Sequence, residues 1–584
     1  MLLVIWLGTA IAAPGQTFNV LYQFDGTDGA LPTAGLAQGS NGNLYGTTAY
    51  GGPHVCGYFE GCGTVFKITR TGKLDALYSF CGQPDCSDGA FPTAGLVLAT
   101  DRNFYGTTFG GTTNRGWFAG TLFRITAAGT LTTLYSFCSQ LLCDDGSNPT
   151  GPLIQATDGD LYGATRYGGG TGSQSCYEGG GSVGCGTVFR VSPAGTLTRL
   201  YAFCTQGSCP DGSLPNGVVQ ATDGNFYGST EKGGANSSAC VDAWGTVGCG
   251  TVFKITRTGK LSTLYSFCNQ TNCTDGSNPG PLILAADGSF YGTTGGNGAY
   301  NRGTLFRITH TGELTTLYSF CAPPNCSDGA FPAGPVLATD GNLYGTTNIG
   351  GANGHGTVYQ ITQAGTLTTL YSFCSQANCS DGADPEAGLL QATDGNFYGT
   401  TYHGGNPTDC GGFSCGTVFS LSTGLGPFVA FVRDSGKVGW NAEILGQGLS
   451  GTTAVSFNGI PAAGFNVKRD TYLRATVPAG ATTGYLTVTA PGGTLTSNVA
   501  YRVLPQIISF SPTSGPVGTQ VTITGVSLTQ TNKVVFGGVP ATDFTVNGDN
   551  QVTATVPTGA KTGKIVIVTT GGRTWSTQVF TVTQ

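Results

Sequence analysis

The residues with the most evident chemistry in this chain are its 20 cysteines. Six pairs have the spacing C-x4-C directly after a segment similar to "LYSF", and four more lie between segments similar to "YGTT" and "GTVF". Repeat copies that lack one cysteine of a pair also lack the other, which is typical of local disulfides and not of independent buried thiols. The predicted disulfides are Cys56–Cys62, Cys81–Cys86, Cys138–Cys143, Cys176–Cys185, Cys204–Cys209, Cys240–Cys249, Cys268–Cys273, Cys321–Cys326, Cys374–Cys379 and Cys410–Cys415.

Metal binding is the alternative chemistry for these residues. Structural zinc needs four ligands, whereas each loop offers two sulfurs and the chain has only four histidines. Seven Asp-Gly pairs could instead hold calcium, but each Asp is expected to accept backbone N–H groups within its own turn. We therefore predict no metal and no cofactor. The aspartates are Asp28, Asp88, Asp145, Asp211, Asp275, Asp328 and Asp381.

No motif of nucleophilic catalysis is present, and no catalytic residue is assigned. The histidines are expected to be solvated loop residues, because no Ser or Cys near them has a nucleophile-elbow context. They are His54, His310, His355 and His403. Carboxylate pairs for glycoside hydrolysis stay open, since acidic residues could converge between repeats. These are Glu60, Asp85, Glu178, Glu231, Asp242 and Asp409. An enzyme that cleaves extracellular polysaccharide is therefore one alternative function, and a structural component of the cell envelope is another.

Aromatic residues beside carboxylates in the two longest loops are the candidate binding residues. The loops run from Arg166 to Cys185 and from Glu231 to Cys249. Exposed rings stack on the C–H faces of sugars or anchor a protein partner, although isolated surface aromatics need no function. The predicted ligand-binding residues are Tyr167, Tyr177, Glu178, Glu231, Asp242 and Trp244, and the predicted ligand is a carbohydrate or a protein.

A tandem repeat must position all these residues. The tyrosine of "YGTT" or its variants marks seven copies, at Tyr45, Tyr105, Tyr162, Tyr227, Tyr291, Tyr344 and Tyr398. Each copy predicts four short strands in two hairpins, which is typical of a propeller blade. The seventh copy lacks its last strand, and the orphan "FNVLYQF" at residues 18–24 would complete it and remove an exposed sheet edge. The sequence thus predicts an all-β chain with a seven-bladed β-propeller over residues 18–422.

Length variation is concentrated in one connection of the repeat. From the "YGTT" tyrosine to the "GTVF" glycine the spacing is 18, 15, 24, 23, 12, 12 and 18 residues. From that glycine to the next "LYSF" tyrosine it is 15 in all six complete copies. In an up-and-down blade, the variable connection and the connection between blades emerge on the same face. One face is therefore predicted to be uniform, and the other to carry the disulfides and the diversity.

The segment order "DGNFYGTT…GG…GTVF…G…LYSF", repeated over residues 18–422, resembles the GloVer tandem-repeat family of exported bacterial proteins, whose members vary in their anchor. The resemblance implies surface display or secretion, and no established activity or catalytic residue. A binding or adhesion protein is therefore the function that we predict.

After Leu421 the pattern changes to a gap-free duplication. "SGKVG", "FNGIPA" and "ATVPAGATTG" recur 79 residues later as "SGPVG", "FGGVPA" and "ATVPTGAKTG". Short alternating strands broken by Gly and Pro predict two small β-sandwiches, at residues 425–503 and 504–584. The stretch "PQIISFSPTSGPVGTQVTITG" resembles IPT/TIG domains, which implies an immunoglobulin-like fold; such domains serve as spacers or as binding modules.

Composition and the first residues indicate the compartment. The net charge is −6 and no basic stripe exists, which argues against nucleic acid as a partner. Residues 1–13 end in an A-x-A pattern and are predicted to be a signal peptide, truncated at its start because no Lys or Arg precedes the apolar run. No later segment is apolar for long enough to span a bilayer. We expect an extracellular or surface-held monomer without an integral membrane segment after cleavage.

Overall fold

The computed structural model describes residues 16–56, 61–111, 119–170, 176–178, 181–182, 184–205, 208–236, 240, 248–405 and 414–584. Nearly all regular structure in these ranges is β-strand, so the predicted all-β class is confirmed. Short 3₁₀ turns lie in the C-x4-C loops at Pro84–Cys86, Leu141–Cys143, Thr271–Cys273 and Ala377–Cys379.

Each repeat folds into one antiparallel sheet, and the described residues form seven such sheets, called sheets one to seven. Strand β1 is Thr17–Gln23. Sheet one is β2 (Ala37–Gln38), β3 (Leu44–Thr48), β4 (Thr64–Ile68) and β5 (Leu74–Ser79). Sheet two is β6 (Val97–Leu98), β7 (Phe104–Thr108), β8 (Thr121–Ile125) and β9 (Leu131–Ser136). Sheet three is β10 (Ser147–Gln155), β11 (Leu161–Tyr167), β14 (Thr187–Val191) and β15 (Leu197–Ala202), with a hairpin β12 (Tyr177–Glu178) and β13 (Gly181–Ser182) in its long loop. Sheet four is β16 (Ser213–Gln220), β17 (Phe226–Lys232), β18 (Thr251–Ile255) and β19 (Leu261–Ser266).

The first strand is split in the next two sheets. Sheet five is β20 (Ser277–Pro279), β21 (Ile283–Leu284), β22 (Phe290–Gly296), β23 (Thr304–Ile308) and β24 (Leu314–Ser319). Sheet six is β25 (Ala330–Pro332), β26 (Val336–Leu337), β27 (Leu343–Ile349), β28 (Thr357–Ile361) and β29 (Leu367–Ser372). Sheet seven is β30 (Leu390–Gln391), β31 (Phe397–Thr401) and β32 (Thr417–Ser422), completed by β1.

The "YGTT" strand is buried on both faces, which explains its composition. Tyr45 is buried and stacks near Phe104 of sheet two, with ring centroids 4.1 Å apart. Gly46 points to the opposite face, where an added Cβ would lie 2.5 Å from the ring of Phe66. A side chain there would displace the Phe66 ring, so close packing within the sheet requires glycine.

The N-terminal strand closes the set of sheets, as the orphan segment predicts. It pairs antiparallel with β32, from Thr17 opposite Ser422 to Gln23 opposite Thr417. Phe18 stacks on Tyr371 of sheet six, with ring centroids 3.7 Å apart. The strand therefore joins the two ends of the repeat region and covers an edge that sheet seven would otherwise expose.

One backbone hydrogen bond recurs between successive repeats. The donor is the N–H group of the residue two positions after the glycine of Asp-Gly, and this residue has positive φ in every repeat. The acceptor is the carbonyl oxygen of the residue just before the "GTVF" glycine of the preceding repeat. The bonds are Phe91–Cys62, Asn148–Ala119, Leu214–Cys185, Asn278–Cys249, Phe331–Arg302, Asp384–His355 and Leu31–Cys415. The last one joins sheet one to sheet seven, so the connected repeats return to their starting point.

Two further units follow, each around one core; the first has two four-stranded sheets and a two-stranded one, and the second has two sheets. The first module contains β33 (Ala430–Phe431), β34 (Ser435–Gly436), β35 (Asn441–Leu445), β36 (Ala454–Phe457), β37 (Ile460–Pro461), β38 (Gly464–Arg469), β39 (Tyr472–Thr476), β40 (Leu486–Ala490), β41 (Gly493–Thr496) and β42 (Arg502–Val503). The second module contains β43 (Gln506–Ser511), β44 (Ser514–Gly515), β45 (Gln520–Val526), β46 (Thr531–Phe536), β47 (Val539–Pro540), β48 (Phe544–Gly548), β49 (Gln551–Thr555), β50 (Gly563–Thr569) and β51 (Gly572–Val582).

The first module docks on the turns between the first and second strands of the sheets, a surface that we call the turn face. The hydroxyl of Thr471 donates a hydrogen bond to the carbonyl of Ser40 at 2.8 Å. The hydroxyl of Thr393 donates one to the carbonyl of Gly446 at 3.1 Å. The opposite ends of the sheets carry the connections that vary between repeats.

Candidate functional site

A row of threonine pairs supports the variable connections. In each sheet the last threonine of the "YGTT"-type strand and the first threonine of the "GTVF"-type strand share a hydroxyl–hydroxyl hydrogen bond of 2.8–2.9 Å. The pairs are Thr48–Thr64, Thr108–Thr121, Thr165–Thr187, Thr230–Thr251, Thr294–Thr304, Thr347–Thr357 and Thr401–Thr417. Because both ends of each connection are fixed in the same way, its length and composition can change without disturbing the sheet.

Nine of the predicted disulfides are formed among the described residues, each between its predicted partners. In the tenth pair Cys415 is disulfide-bonded, and Cys410 lies outside the described residues. The sulfurs of Cys56, Cys62 and Cys81 lie within 4.8 Å of one another, so the two kinds of cysteine-bearing loop lie side by side. We call this surface the loop face. Since these sulfurs are already joined in disulfides, their clusters are not metal-ligand sets.

The repeated Asp-Gly carboxylates are structural, as predicted. In sheet six Asp381 accepts hydrogen bonds from the Tyr371 hydroxyl at 2.8 Å and the Ser375 N–H group at 2.9 Å. Burial works against the charge of Asp381, but hydrogen bonds from Ser375 and Tyr371 lower its pKa below the ordinary value. Burial, together with the Asp381 carboxylate, raises the pKa of Tyr371 to about 12. Donors from the preceding strand and from the turn itself thus hold this carboxylate, which is the turn role that the sequence predicts.

Two of the predicted binding residues, Tyr167 and Glu231, both contact Arg166, which was not among the predicted binding residues. Arg166, at the end of β11, forms an ion pair with Glu231 of sheet four, with its Nη1 2.6 Å from Oε2. Its Nε donates a hydrogen bond to the Tyr167 hydroxyl at 3.3 Å. Burial opposes the charge on Arg166, but the Glu231 carboxylate and Tyr167 together raise its pKa. Tyr167 is only 6% exposed, so it offers no free ring face to a ligand.

The other predicted binding residues lie wholly or partly outside the described structure. Asp242 and Trp244 fall outside it, and for Tyr177 and Glu178 only the backbone is described, as strand β12. Strand β12 pairs with β13 within the connection of sheet three that also contains the Cys176–Cys185 disulfide. Their role in binding remains a prediction.

The loop face also carries a polar cluster that the sequence analysis missed. Asp384 lies between two histidines of neighbouring sheets: its Oδ1 is 3.1 Å from Nδ1 of His355, and its Oδ2 is 3.0 Å from Nδ1 of His403. Both histidines are partly exposed, as expected of loop residues, but each also contacts Asp384, which the sequence did not predict. All three side chains stay partly exposed, so an external molecule can reach them.

Glu386 extends this cluster. Its side chain is accessible to water, yet enough protein surrounds the carboxyl that partial desolvation raises its pKa. His403 counteracts this increase, and the Asp384 carboxylate adds to it. Tyr402 stands beside His403, with ring centroids 4.5 Å apart, and burial followed by the charge of Glu386 raises its pKa. Two carboxyls, two imidazoles and a phenol therefore occupy one part of the loop face.

A register comparison between repeats could have revealed this cluster. The position of Asp384 has positive φ in all seven repeats and otherwise contains Leu31, Phe91, Asn148, Leu214, Asn278 and Phe331. Charge occurs there only in the seventh repeat, and Glu386 is likewise the only charged residue at its position. A charged residue at a position that is apolar or neutral in the other repeats would have indicated this site. Comparing only the lengths of the connections did not reveal it.

A second departure from the repeat lies in the connection between sheets two and three. Its C-x4-C loop presents Leu141 and Leu142, which are 71% and 50% exposed, where the other copies have smaller or polar residues. A surface cavity of about 450 Å³ adjoins them and is also lined by Arg199 and Asp144, which form an ion pair. Exposed leucines beside a cavity are typical of a surface that contacts another molecule.

These features define a class of protein: an all-β repeat protein whose loops are held by local disulfides on one face. A model of the Gloeobacter/Verrucomicrobia repeat matches residues 9–240, 174–405 and 240–453, and the chain belongs to that family. A model of the IPT/TIG domain matches residues 505–583. Both resemblances found in the sequence are thereby confirmed.

The remaining comparisons add little. No curated protein matches the chain. A fungal alcohol oxidase in complex with copper is 12% identical, with a TM-score of 0.44 over 98% of this chain and 100% of that chain. A gluconolactonase from Xanthomonas campestris is 17% identical, with a TM-score of 0.34 over 60% of this chain and 89% of that chain. A surface glycan-binding protein from Prevotella bryantii is 18% identical, with a TM-score of 0.20 over 26% of this chain and 41% of that chain. All these TM-scores are below 0.5, and no property of those proteins is transferred to this chain.

Within the described ranges, no helix is long and apolar enough to cross a membrane.

Proposed function

We propose that this protein is exported to the cell surface or the extracellular space and binds a carbohydrate or a protein through its loop face. In this proposal the seven sheets are the blades of a β-propeller over residues 18–422. Two immunoglobulin-like modules follow at 425–503 and 504–584, and residues 1–13 are a signal peptide. The protein acts as a monomer and needs no cofactor.

One observation carries the proposal: chemically distinctive side chains replace the repeat consensus on the loop face, above a base that is the same in every sheet. The threonine pairs and the bonds between repeats are constant in all seven sheets. Above them lie the cluster of His355, Asp384 and His403 and the exposed Leu141 and Leu142. Repeat proteins place binding sites on such loops, because the scaffold folds independently of their sequence.

Two further observations support the proposal. The first module docks on the turn face through Thr471 and the Gly446 carbonyl, so these contacts leave the loop face uncovered. Nine disulfides among the described residues suit an oxidising, extracellular compartment.

The chain itself supplies matched variants for a test. A loop-face reversion variant replaces the polar cluster by residues that occupy the same register positions in other repeats. Its changes are His355→Ala as at Ala119, Asp384→Asn as at Asn148, Glu386→Thr as at Thr33, and His403→Tyr as at Tyr50. A second variant, Leu141→Ala with Leu142→Asn, copies Ala377 and Asn378 of another C-x4-C loop. Because each new residue already fits this backbone, both variants should melt within about 2 °C of the parent.

The assay measures retention of the purified full chain on immobilised cell-wall and plant polysaccharides. We expect at least one variant to lose retention about tenfold or more on the polysaccharide that the parent binds, since a binding centre contributes several kcal/mol. If retention survives both variants and is lost on removing residues 424–584, the modules are the binders and the proposal is wrong.

One observation favours a second function at the same place, cleavage of a polysaccharide. A carboxyl with a raised pKa, Glu386, lies near a second carboxylate, Asp384, and such a pair can act as acid and base in glycoside hydrolysis. The same polysaccharide panel is scored for release of reducing ends. Glu386→Gln, which keeps a polar side chain of the same size, should abolish release and reduce retention far less than the reversion variant does. If the parent releases no reducing ends from any polysaccharide of the panel, the cleavage proposal is wrong.

A further inference from the structure

A cleft on the opposite side of the molecule is unrelated to the loop face. It measures about 350 Å³ and lies between the turn face of sheets three and four and both C-terminal modules. The repeats contribute Thr222 and Arg257, the first module contributes Trp440, and the second contributes Arg573 and Trp575. The volume falls within the range of about 300–1,000 Å³ that is typical of ligand pockets.

The cleft contains both tryptophans of the described residues. Trp440 is 40% exposed and Trp575 is 45% exposed, although each adjoins the interface between the modules and the repeats. A large ring gains most by burial, so two rings left half-exposed at one cleft are a feature that packing does not explain. Flat indole faces of this kind bind the C–H faces of sugar rings.

Cations accompany both rings. The guanidinium of Arg433 lies 5.1 Å and the ammonium of Lys437 5.6 Å from the ring centre of Trp440. Neither cation forms an ion pair with a carboxylate in the part of the chain that the structure describes. The guanidinium of Arg573 lies 5.7 Å from the ring centre of Trp575.

The acidic residues near the cleft are already engaged. Asp158 pairs with Arg257 at 3.8 Å. Asp223 lies 3.9 Å from Arg573 but only 2.8 Å from Lys254, its shorter ion pair. Asp434 pairs with Arg502 at 2.9 Å. In a chain of net charge −6 the cleft thus keeps a local excess of positive charge.

We propose that this cleft binds an acidic polysaccharide, with the sugar rings on Trp440 and Trp575 and the carboxylates on Lys437 and Arg573, the cations that line the cleft beside those rings. Aromatic rings without cations would suit a neutral glycan, and cations without rings would suit any anion. Because this cleft has rings and cations side by side, it fits a polysaccharide whose sugars carry carboxylates. Nucleic acid offers a similar combination of rings and charge. It is disfavoured because the molecule as a whole is acidic and would repel a long polyanion beyond the cleft.

The experiment is affinity electrophoresis, which measures how far the migration of the full chain is retarded in a gel that contains polygalacturonate, its fully methyl-esterified form, or poly(U). The esterified polymer keeps the sugar backbone and removes the negative charge. The variants are Trp440→Ala, Trp575→Ala and Lys437→Gln, with Lys533→Gln, an exposed cation of the second module, as the matched control. Far-UV circular dichroism and a thermal melt check that each variant is folded; Lys437→Gln preserves packing if a tryptophan variant does not fold.

We expect retardation by polygalacturonate that weakens as salt rises, and none by the ester. Each tryptophan variant should weaken binding about tenfold or more, because a stacking contact is lost. Lys437→Gln should weaken binding several-fold, and the control Lys533→Gln should bind as tightly as the parent. The loop-face reversion variant should bind polygalacturonate normally; if it does not, the polymer binds the loop face and the cleft proposal is wrong. Four results would each overturn the proposal. They are equal retardation by polygalacturonate and its ester, tighter binding of poly(U) than of polygalacturonate, a loss of affinity in Lys533→Gln equal to that in Lys437→Gln, and no retardation by polygalacturonate.

Discussion

Closure of the repeats by the N-terminal strand predicts a specific loss of stability at Phe24. This residue directly follows β1 and is fully buried, its N–H group donates to the Gly416 carbonyl at 3.1 Å, and its ring meets Phe66 of sheet one edge-on at 5.3 Å. Replacing a buried phenylalanine by alanine removes its burial energy and leaves a cavity, at a cost of about 3–5 kcal/mol. Phe24→Ala should therefore destabilise sheets one and seven by that amount.

The chain provides a matched control inside the repeat region. Phe137 occupies the same register position, is equally buried, donates to Gly120 at 3.0 Å and meets Phe189 at 5.2 Å. Its surroundings are continuous in sequence, whereas Phe24 depends on contacts with residues almost 400 positions later. Equal costs would mean that the N-terminal strand belongs to the sheets as fully as any internal strand.

Hydrogen exchange read by mass spectrometry suits this comparison, because it resolves individual sheets in a chain with several cooperative units. In Phe24→Ala the opening free energy should fall in peptides from 390–422 and 37–79, and in Phe137→Ala in peptides from sheets two and three. A loss below about 1 kcal/mol for Phe24→Ala beside the full loss for Phe137→Ala would refute closure by this strand. Deletion of residues 18–24 should then leave sheet seven protected, instead of exposing it as we predict.

Three further predictions follow from local contacts. Replacing Cys81 and Cys86 together by serine should lower stability by about 2 kcal/mol, the loop-closure value for so short a loop, and raise proteolysis at residues 81–88; cutting elsewhere in sheet one would contradict this. Tyr265→Phe removes the 2.9 Å hydrogen bond to the buried carboxylate of Asp275 and should lower the free energy of unfolding by about 1.5–3 kcal/mol, measured in urea; a neutral result would show that backbone donors suffice. Because the pKa of Glu386 is raised in the folded state, ionisation of Glu386 begins to oppose folding as the pH rises through the ordinary, unfolded-state pKa, and the full cost is reached above the folded-state pKa. Glu386→Gln should therefore raise the melting temperature at pH 7 and change it little at pH 4; the opposite order would contradict the partial desolvation of this carboxyl.

Much of the fold could be predicted because its determinants are close together in sequence. The strands of each sheet follow one another along the chain, and the disulfide of Cys81 and Cys86 closes a short loop. The Asp381 carboxylate meets Tyr371 ten residues away. Such contacts leave a repeated trace in composition and spacing, from which the local geometry can be inferred.

The functional residues could be predicted only in part. Glu231 was singled out as a carboxylate in a long loop, but its ion pair with Arg166 joins two sheets. The pairing of His355 with His403 depends on Asp384 between them, and on the backbone bond that fixes the register of sheets six and seven. No local pattern contains these three residues at once.

The sequence by itself therefore determined the repeat, its strands, its disulfides and the turn role of its aspartates, because each depends on residues within one repeat. Only the tertiary structure decided which side chains meet across repeats and modules. The histidines meet because adjacent sheets are held in one register, and Trp440 and Trp575 share a cleft because the modules dock on the turn face. Contacts of this kind arise from the packing of units that are each already complete, so no spacing along the chain encodes them.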